Sequence, residues 1–280
     1  MAITSTITKT SHADGSAAWY LARFSAVLAD YASAAALTGY ATPGLIFPNG
    51  VRQVFATEKI KDASCKVQVS MSTPSQIDAG VAVWQDLTVD SGGAGTNTKA
   101  GTLSVAPDAT GKDQINGVRL YFASALAAST YDMWVIGVPK IDDGKMIPTP
   151  EGGYCLPFLS DTGADSVIGQ GLTVGTVDGS LALAPTSGKE CYGVSQVAGI
   201  PTGGYILVNP MMGKSYVLLE AATASVLGHI LTTSAITAGR FKSIAAPALY
   251  AAPDVVMRCG QPLEANAGGA NVTILAVLGR

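Results

Sequence analysis

The chain has 280 residues, enough for two ordinary domains at roughly 150 residues each. Of these, 48% are apolar and only 13% charged, where soluble domains carry roughly 25% charged residues. The formal charge of −3 and pI of about 5.3 leave no basic footprint for nucleic acid, and so few charges imply a surface covered in good part by other protein subunits.

In chain order, the first dozen residues are rich in Thr and Ser and read as an arm. Over 17–37, Tyr20, Phe24, Val27, Leu28, Tyr31 and Ala35 fall at helical spacing, with Gly39 and Pro43 as stop signals, so residues 1–50 are expected to form an arm and an amphipathic helix. Arg23 and Asp30 inside the apolar stretch argue against a membrane span. From Val51 the period changes to two. Cys65, Val67, Val69 and Met71 alternate with polar residues, Val81, Val83, Leu87 and Val89 share a face, and Val118, Leu120, Phe122, Met133 and Val135 continue the pattern. Gly-rich and Pro-Asp turn clusters at 91–95 and 107–111 separate these runs, and a β-sandwich over 51–140 is predicted. Residues 141–151, with Asp142, Asp143, Gly144, Pro148 and Pro150, read as a linker.

Beyond the linker, residues 152–280 contain two near copies of one octapeptide, SVIGQGLT from Ser166 and SVLGHILT from Ser225. After each copy comes a Gly-closed turn, Asp178-Gly179 or Ala238-Gly239. Each copy then reaches a Gly-Gly pair feeding a hydrophobic run, Gly203-Gly204 before Tyr205 to Val208 and Gly268-Gly269 before Val272 to Val277. Self-similarity at a fixed offset predicts a duplicated β domain. The predicted fold class is therefore mainly β, with a terminal arm and helix, a sandwich and a duplicated barrel-like domain.

Motifs for chemistry are sparse. His12 lies in the polar arm, and His229 replaces Gln170 of the other octapeptide, so neither reads as a general base. Cys65, Cys155, Cys191 and Cys259 are dispersed, form no metal-ligand spacing, and read as buried thiols of a reducing compartment. The start Met-Ala-Ile-Thr-Ser-Thr lacks the basic and apolar segments of a signal peptide. Gly213-Lys214-Ser215 lacks the leading glycine of a phosphate loop, Val208 standing in its place. Ser195 lacks the second glycine of a nucleophile elbow, and Asp142-Asp143-Gly144 with Glu151 lacks the EF-hand spacing. No catalytic, cofactor or metal site is expected, nor a small-molecule ligand. Trp84, Trp134, Tyr121 and Tyr131 are aromatics that could build a platform for a sugar, with core or interface packing as the plainer reading. Trp19, Phe24, Tyr31, Trp84 and Trp134 are the candidate partner contacts.

The stretch Gly152 to Arg280 resembles the head-decoration, or capsid cement, proteins of tailed bacteriophages. The likeness is carried by Val167-Ile168-Gly169-Gln170-Gly171-Leu172, Asp178-Gly179 and Tyr192-Gly193-Val194, then by Val226-Leu227-Gly228-His229-Ile230-Leu231, Ala238-Gly239, Cys259 to Ala265 and Gly268-Gly269 to Leu278. The chain departs from the simplest members in carrying two copies and a large N-terminal extension. The resemblance implies a β-tulip-like barrel and no enzyme activity. It also implies a virion protein made in the host cytoplasm that sits on the capsid surface, commonly as a homotrimer, and clamps neighbouring major capsid protein subunits. The alternative is a head or tail fibre that binds a host glycan or receptor through the N-terminal sandwich.

Overall fold

Strand, not helix, is what the N-terminal segment forms. The computed structural model describes residues 3–27, 39–59, 65–87, 90–91, 99–104, 114–122, 130–141, 146–186, 191–227, 229–245 and 259–278. Strands β1 (Ile3–Ser11) and β2 (Ala17–Val27) make an antiparallel hairpin, so the expected arm and the first half of the expected helix are both corrected. At the turn, His12 N donates to Ser16 O, while Asp14 Oδ1 accepts from the Ser16 N and Oγ at 2.9 and 2.6 Å. The physical reason for a strand is its position: β2 is paired with β1 on one side and with β10 (Thr130–Val138) on the other. Tyr20, Ala22 and Phe24 then point to one face and are buried there. The continuation of the expected helix, Tyr31 included, lies outside the described residues, as do 92–95, 107–111 and 142–145 of the expected turns and linker.

Two units divide the chain, Met1–Asp142 and Asp143–Arg280. In the first, β3 (Leu45–Val51), β4 (Gln53–Glu58), β5 (Cys65–Ser70), β6 (Gln85–Asp86), β7 (Asp90–Ser91), β8 (Lys99–Ser104) and β9 (Ile115–Phe122) complete two sheets, of order β1-β2-β10-β4-β8-β7 and β3-β9-β5-β6. One core lies between them. Tyr20, Ala22, Phe24, Val54, Ala56, Met133 and Val135 of the larger sheet meet Phe47, Val67, Val69, Val118, Leu120 and Phe122 of the smaller. The period-two reading of β5, β9 and β10 is thus the observed one. Over 81–87 it is not, and Val89 lies outside the described residues. The short helix α1 (Pro74–Asp78) intervenes, started by Thr73, whose side chain accepts from Gln76 N while Gln76 Oε1 accepts from Thr73 N. Ile77 and Leu87 turn inward and are buried, and Val81 and Val83 are exposed outside any strand.

In the second unit, the edge strand β11 (Ile147–Pro148) leads into β12 (Tyr154–Ser160), β13 (Gly171–Val174), β14 (Ser180–Leu183), β15 (Gly193–Ser195) and β16 (Tyr205–Asn209). The pairing order β12-β14-β13-β15-β16 closes through β12–β16 into a five-stranded barrel. Its one parallel contact joins β12 to β14 at Leu159↔Ser180 and Ser160↔Leu181. The same order recurs in β17 (Gly213–Leu218), β18 (Ile230–Thr233), β19 (Phe241–Ile244), β20 (Gly260–Pro262) and β21 (Thr273–Leu278), which pair as β17-β21-β20-β18-β19. A parallel bridge, Leu219↔Phe241, stands where the β12–β14 contact stands in the first ring. Both rings need a glycine at the start of their fourth strand. A Cβ on Gly193 would lie 2.6 Å from Asn209 O, and one on Gly260 only 2.2 Å from Val277 O.

Candidate interaction surface

Most of the sequence-predicted contact residues are enclosed. Phe24 is fully buried in the core of the first unit. Trp19 and Trp134 lie on the other face of the same sheet and are each 4% exposed, with Phe55, Thr57 and Ile136 buried beside them. The Arg23 guanidinium lies 5.3 Å from the Trp134 ring centroid and pairs with Asp132 at 3.5 Å. Tyr31 and the side chain of Tyr131 lie outside the described residues.

Trp84 is half-buried, and its ring edge is seated on backbone: a Cβ on Gly44 would lie 2.9 Å from Trp84 Cη2. Arg119 lies across the ring, 4.4 Å from its centroid. A polar chain continues from there. Arg119 Nε donates to Gln68 Oε1 at 2.8 Å, Gln68 Nε2 to Asp86 Oδ1 at 2.8 Å, and Lys66 Nζ to Asp86 Oδ2 at 2.5 Å. Hydrogen bonds from Lys66 and then Gln68 hold the Asp86 carboxyl below its ordinary range, and the Asp86 bond holds the Lys66 ammonium above its own. This patch fixes Trp84 in place and leaves Arg119 over it, which is an anchoring role for the ring rather than an open platform.

Among the exposed apolar residues of the second unit, which include Val174, Met212 and Val277 on its strands and turns, the octapeptides contribute a set that repeats. Ser166 is buried. It donates its N–H to Ile200 O at 2.8 Å, and its Oγ accepts from Ile200 N at 3.1 Å. Gly169, in left-handed backbone at φ 84°, donates to Ser195 O and accepts from Leu218 N. Between these two anchors Val167 and Ile168 have no inward route. In the second ring Ser225 is buried likewise. Its N–H donates to Asn266 O at 2.9 Å and its Oγ to Glu264 O at 2.8 Å, leaving Val226 and Leu227 outside. His229 N donates to Val226 O as Gln170 N donates to Val167 O, so this histidine takes the backbone place of the glutamine, and its Nδ1 lies 3.2 Å from Ser243 Oγ.

A third position repeats as well. Val177 sits in the β13–β14 turn and Ile236 in the β18–β19 turn. The three pairs, Val167/Val226, Ile168/Leu227 and Val177/Ile236, are each 59 residues apart, and all six residues are between 40% and 77% exposed. A carboxylate secures each of these turns in equivalent fashion. Asp161 Oδ2 accepts from Thr176 N and Oγ1 at 2.8 and 2.7 Å, and Glu220 Oε2, 59 residues on, accepts from Ser234 Oγ at 2.7 Å. Sequence reading did not single out these six residues as exposed. The available signal was an apolar pair held between Ser and Gly in both copies.

Among the described residues no three His, Cys, Asp or Glu side chains converge to hold a metal ion, and no helix is long and apolar enough to cross a membrane. Gly213-Lys214-Ser215 opens strand β17, and Ser195 is buried in β15 with its Oγ donating to Val197 O. No protein-family model matches the chain, and no curated protein matches it.

Proposed function

We propose that the chain is a structural virion protein that attaches to the outer surface of an assembled phage capsid and clamps neighbouring capsid subunits, with its second unit a tandem duplicate of one barrel. On this reading it is made in the host cytoplasm, assembles as a homotrimer and carries no catalytic site. The observation that supports it is the recurrence of exposed aliphatic residues at equivalent positions of the two rings. Two like surfaces on one rigid unit suit a partner that itself repeats, as shell subunits do. Each of these aliphatic side chains that becomes buried on attachment contributes its exposed share, between 40% and 77%, of the about 1.5–3 kcal/mol of a fully exposed one. A protein that binds only the assembled shell stabilises it by mass action.

The test is sedimentation with expanded empty phage shells. The wild-type chain is expected to co-sediment and raise the shell melting temperature. The variant V167D/I168D/V226D/L227D is expected to bind at least about 100-fold more weakly, since each tenfold corresponds to about 1.4 kcal/mol. Its own melting temperature should hold, because the four side chains already face water. Shells that ignore the wild-type chain, or bind the variant equally well, would refute the reading.

A further inference from the structure

We infer that β1 is a docking edge for β1 of a second copy of this chain, the two strands joining their sheets antiparallel across a two-fold axis. The inference stands on the first unit alone and does not rest on the attachment reading above. β1 is the end strand of its six-stranded sheet, and among the described residues no strand pairs with its outer side. Alternate residues along its nine therefore turn N–H and C=O groups away from β2. The other sheet ends of this unit are blunted in the ways that usually prevent edge pairing. β6 and β7 have two residues each, and β3 carries Pro48 and a register irregularity between Ile46 and Val51. β1 has no proline, a single charge at Lys9, and regular register from Ile3 to Thr10.

The side chains choose the occupant. Thr4, Thr6, Thr8 and Thr10 fall on one face of β1, and Thr4, Thr6 and Thr8 are exposed. In a two-fold pairing centred on Ile7, Thr6 meets Thr8 of the other copy, Thr4 meets Thr10, and Ser5 meets Lys9. Centred on Thr6, Thr6 meets its own copy, Thr4 meets Thr8, and Ile3 meets Lys9. Threonine thus faces threonine in either register, a favourable cross-strand pair, and the lysines never oppose one another. Such a contact is isologous, the commonest closed form of self-association. It adds an even factor to whatever other symmetry the chain has, giving a dimer alone or a hexamer if a three-fold contact is also made.

The experiment is light scattering on the full chain at concentrations well above micromolar. Wild type is expected at an even multiple of the chain mass. T6K/T8K sets lysine against lysine in either register and should halve that mass. T6E/T8E should do the same, and an equimolar mixture of the two variants should restore it. The sites are exposed, so circular dichroism melts of the variants should match wild type at concentrations low enough to dissociate it, where association adds nothing to stability. A wild-type monomer or bare trimer, an unchanged mass for T6K/T8K, or a mixture that stays at the halved mass would overturn the inference.

Discussion

Gly171→Ala probes how firmly the two rings of the second unit are joined. Gly171 opens β13 of the first ring, and Phe241, fully buried, opens β19 of the second. A Cβ added at Gly171 would lie 2.9 Å from Phe241 Cζ and 3.1 Å from Cε2. Neither side can withdraw easily. The ring belongs to a core with Cys191, Val217, Leu219, Leu231, Cys259 and Ile274. The backbone is also pinned, since Gly171 N donates to Gly239 O at 2.8 Å, Gly239 N to Ala184 O at 2.8 Å, and Ala184 N to Gly171 O at 2.9 Å. Overpacking of this kind costs about 1–3 kcal/mol.

Phe241→Leu alone should cost about 1–2 kcal/mol, a part of the about 3–5 kcal/mol for truncation of such a ring to alanine. Leucine stops short of the added methyl, so G171A/F241L should be less destabilised than the sum of the single changes, by about 1–2 kcal/mol, within the span found for contacting pairs. Equilibrium unfolding in denaturant, followed by circular dichroism, measures all four proteins. Trp19, Trp84 and Trp134 all lie in the first unit, so tryptophan fluorescence reads that unit separately. Additivity within about 0.5 kcal/mol would refute the claim that Phe241 is what the methyl meets.

Ala222 holds φ at 62°, a left-handed conformation that costs a side-chain-bearing residue about 1–2 kcal/mol, so Ala222→Gly should raise the stability of the second unit by up to about 1 kcal/mol after the entropy of glycine is subtracted. A loss of stability in denaturant titration would contradict this. Asp86 is held below its ordinary value of 3.8 by Lys66 and Gln68, so its contribution is present above that value and lost as pH falls through the lower folded one. Asp86→Asn should therefore flatten the acid limb of the first unit's stability profile while leaving the neutral plateau flat, and an unchanged acid slope would count against the pairing. Lys66 titrates above 10.5, so the same variant should also lessen the alkaline loss. Burial pushes the Cys155 thiol up, and Cys191 and Cys259 are buried with it. In a Cys65→Ser background none of the three should react with an aromatic disulfide reagent until the chain is unfolded, and prompt native labelling would show the thiols to be accessible.

Where alternation was unbroken, strands were legible: β5, β9 and the centre of β10 follow from Val67/Val69, Val118/Leu120/Phe122 and Met133/Val135. β2 was not, for a reason of arithmetic. Tyr20 and Phe24 are four apart, a spacing that satisfies both the helical and the two-residue period, and Leu21, Ala22 and Arg23 between them favour helix in isolation. The deciding interactions are with β1 and β10, and β10 lies more than a hundred residues away in sequence, beyond any local window. The surroundings of the aromatic residues were hidden in a similar way. Trp84 and Trp134 have the composition of a binding platform, yet each is accompanied by an arginine whose approach depends on cross-strand register, Trp134↔Arg23 in one case and the β9 position of Arg119 in the other.

The octapeptides were legible as repeats and illegible as surface. No local pattern says which of the apolar residues between Ser166 and Leu172 face the core; the turn made by Ser166 and Gly169 sends Leu172 inward and Val167 and Ile168 outward. What separates these residues from ordinary exposed aliphatics is the second ring, which acts as an internal comparison. Exposed neighbours differ between the rings, Asp165 standing opposite Ala224 and Asp178 opposite Thr237. The three aliphatic positions are aliphatic in both rings while partly exposed to water. Folding accounts for only part of this, since Val167, Ile168 and Val226 keep about two fifths of their surface in water and Leu227, Val177 and Ile236 more than half. Retention in both rings is the pattern expected if a partner, rather than the fold, sets the requirement, which is why the proposed attachment test changes these positions and leaves the aromatic ones alone.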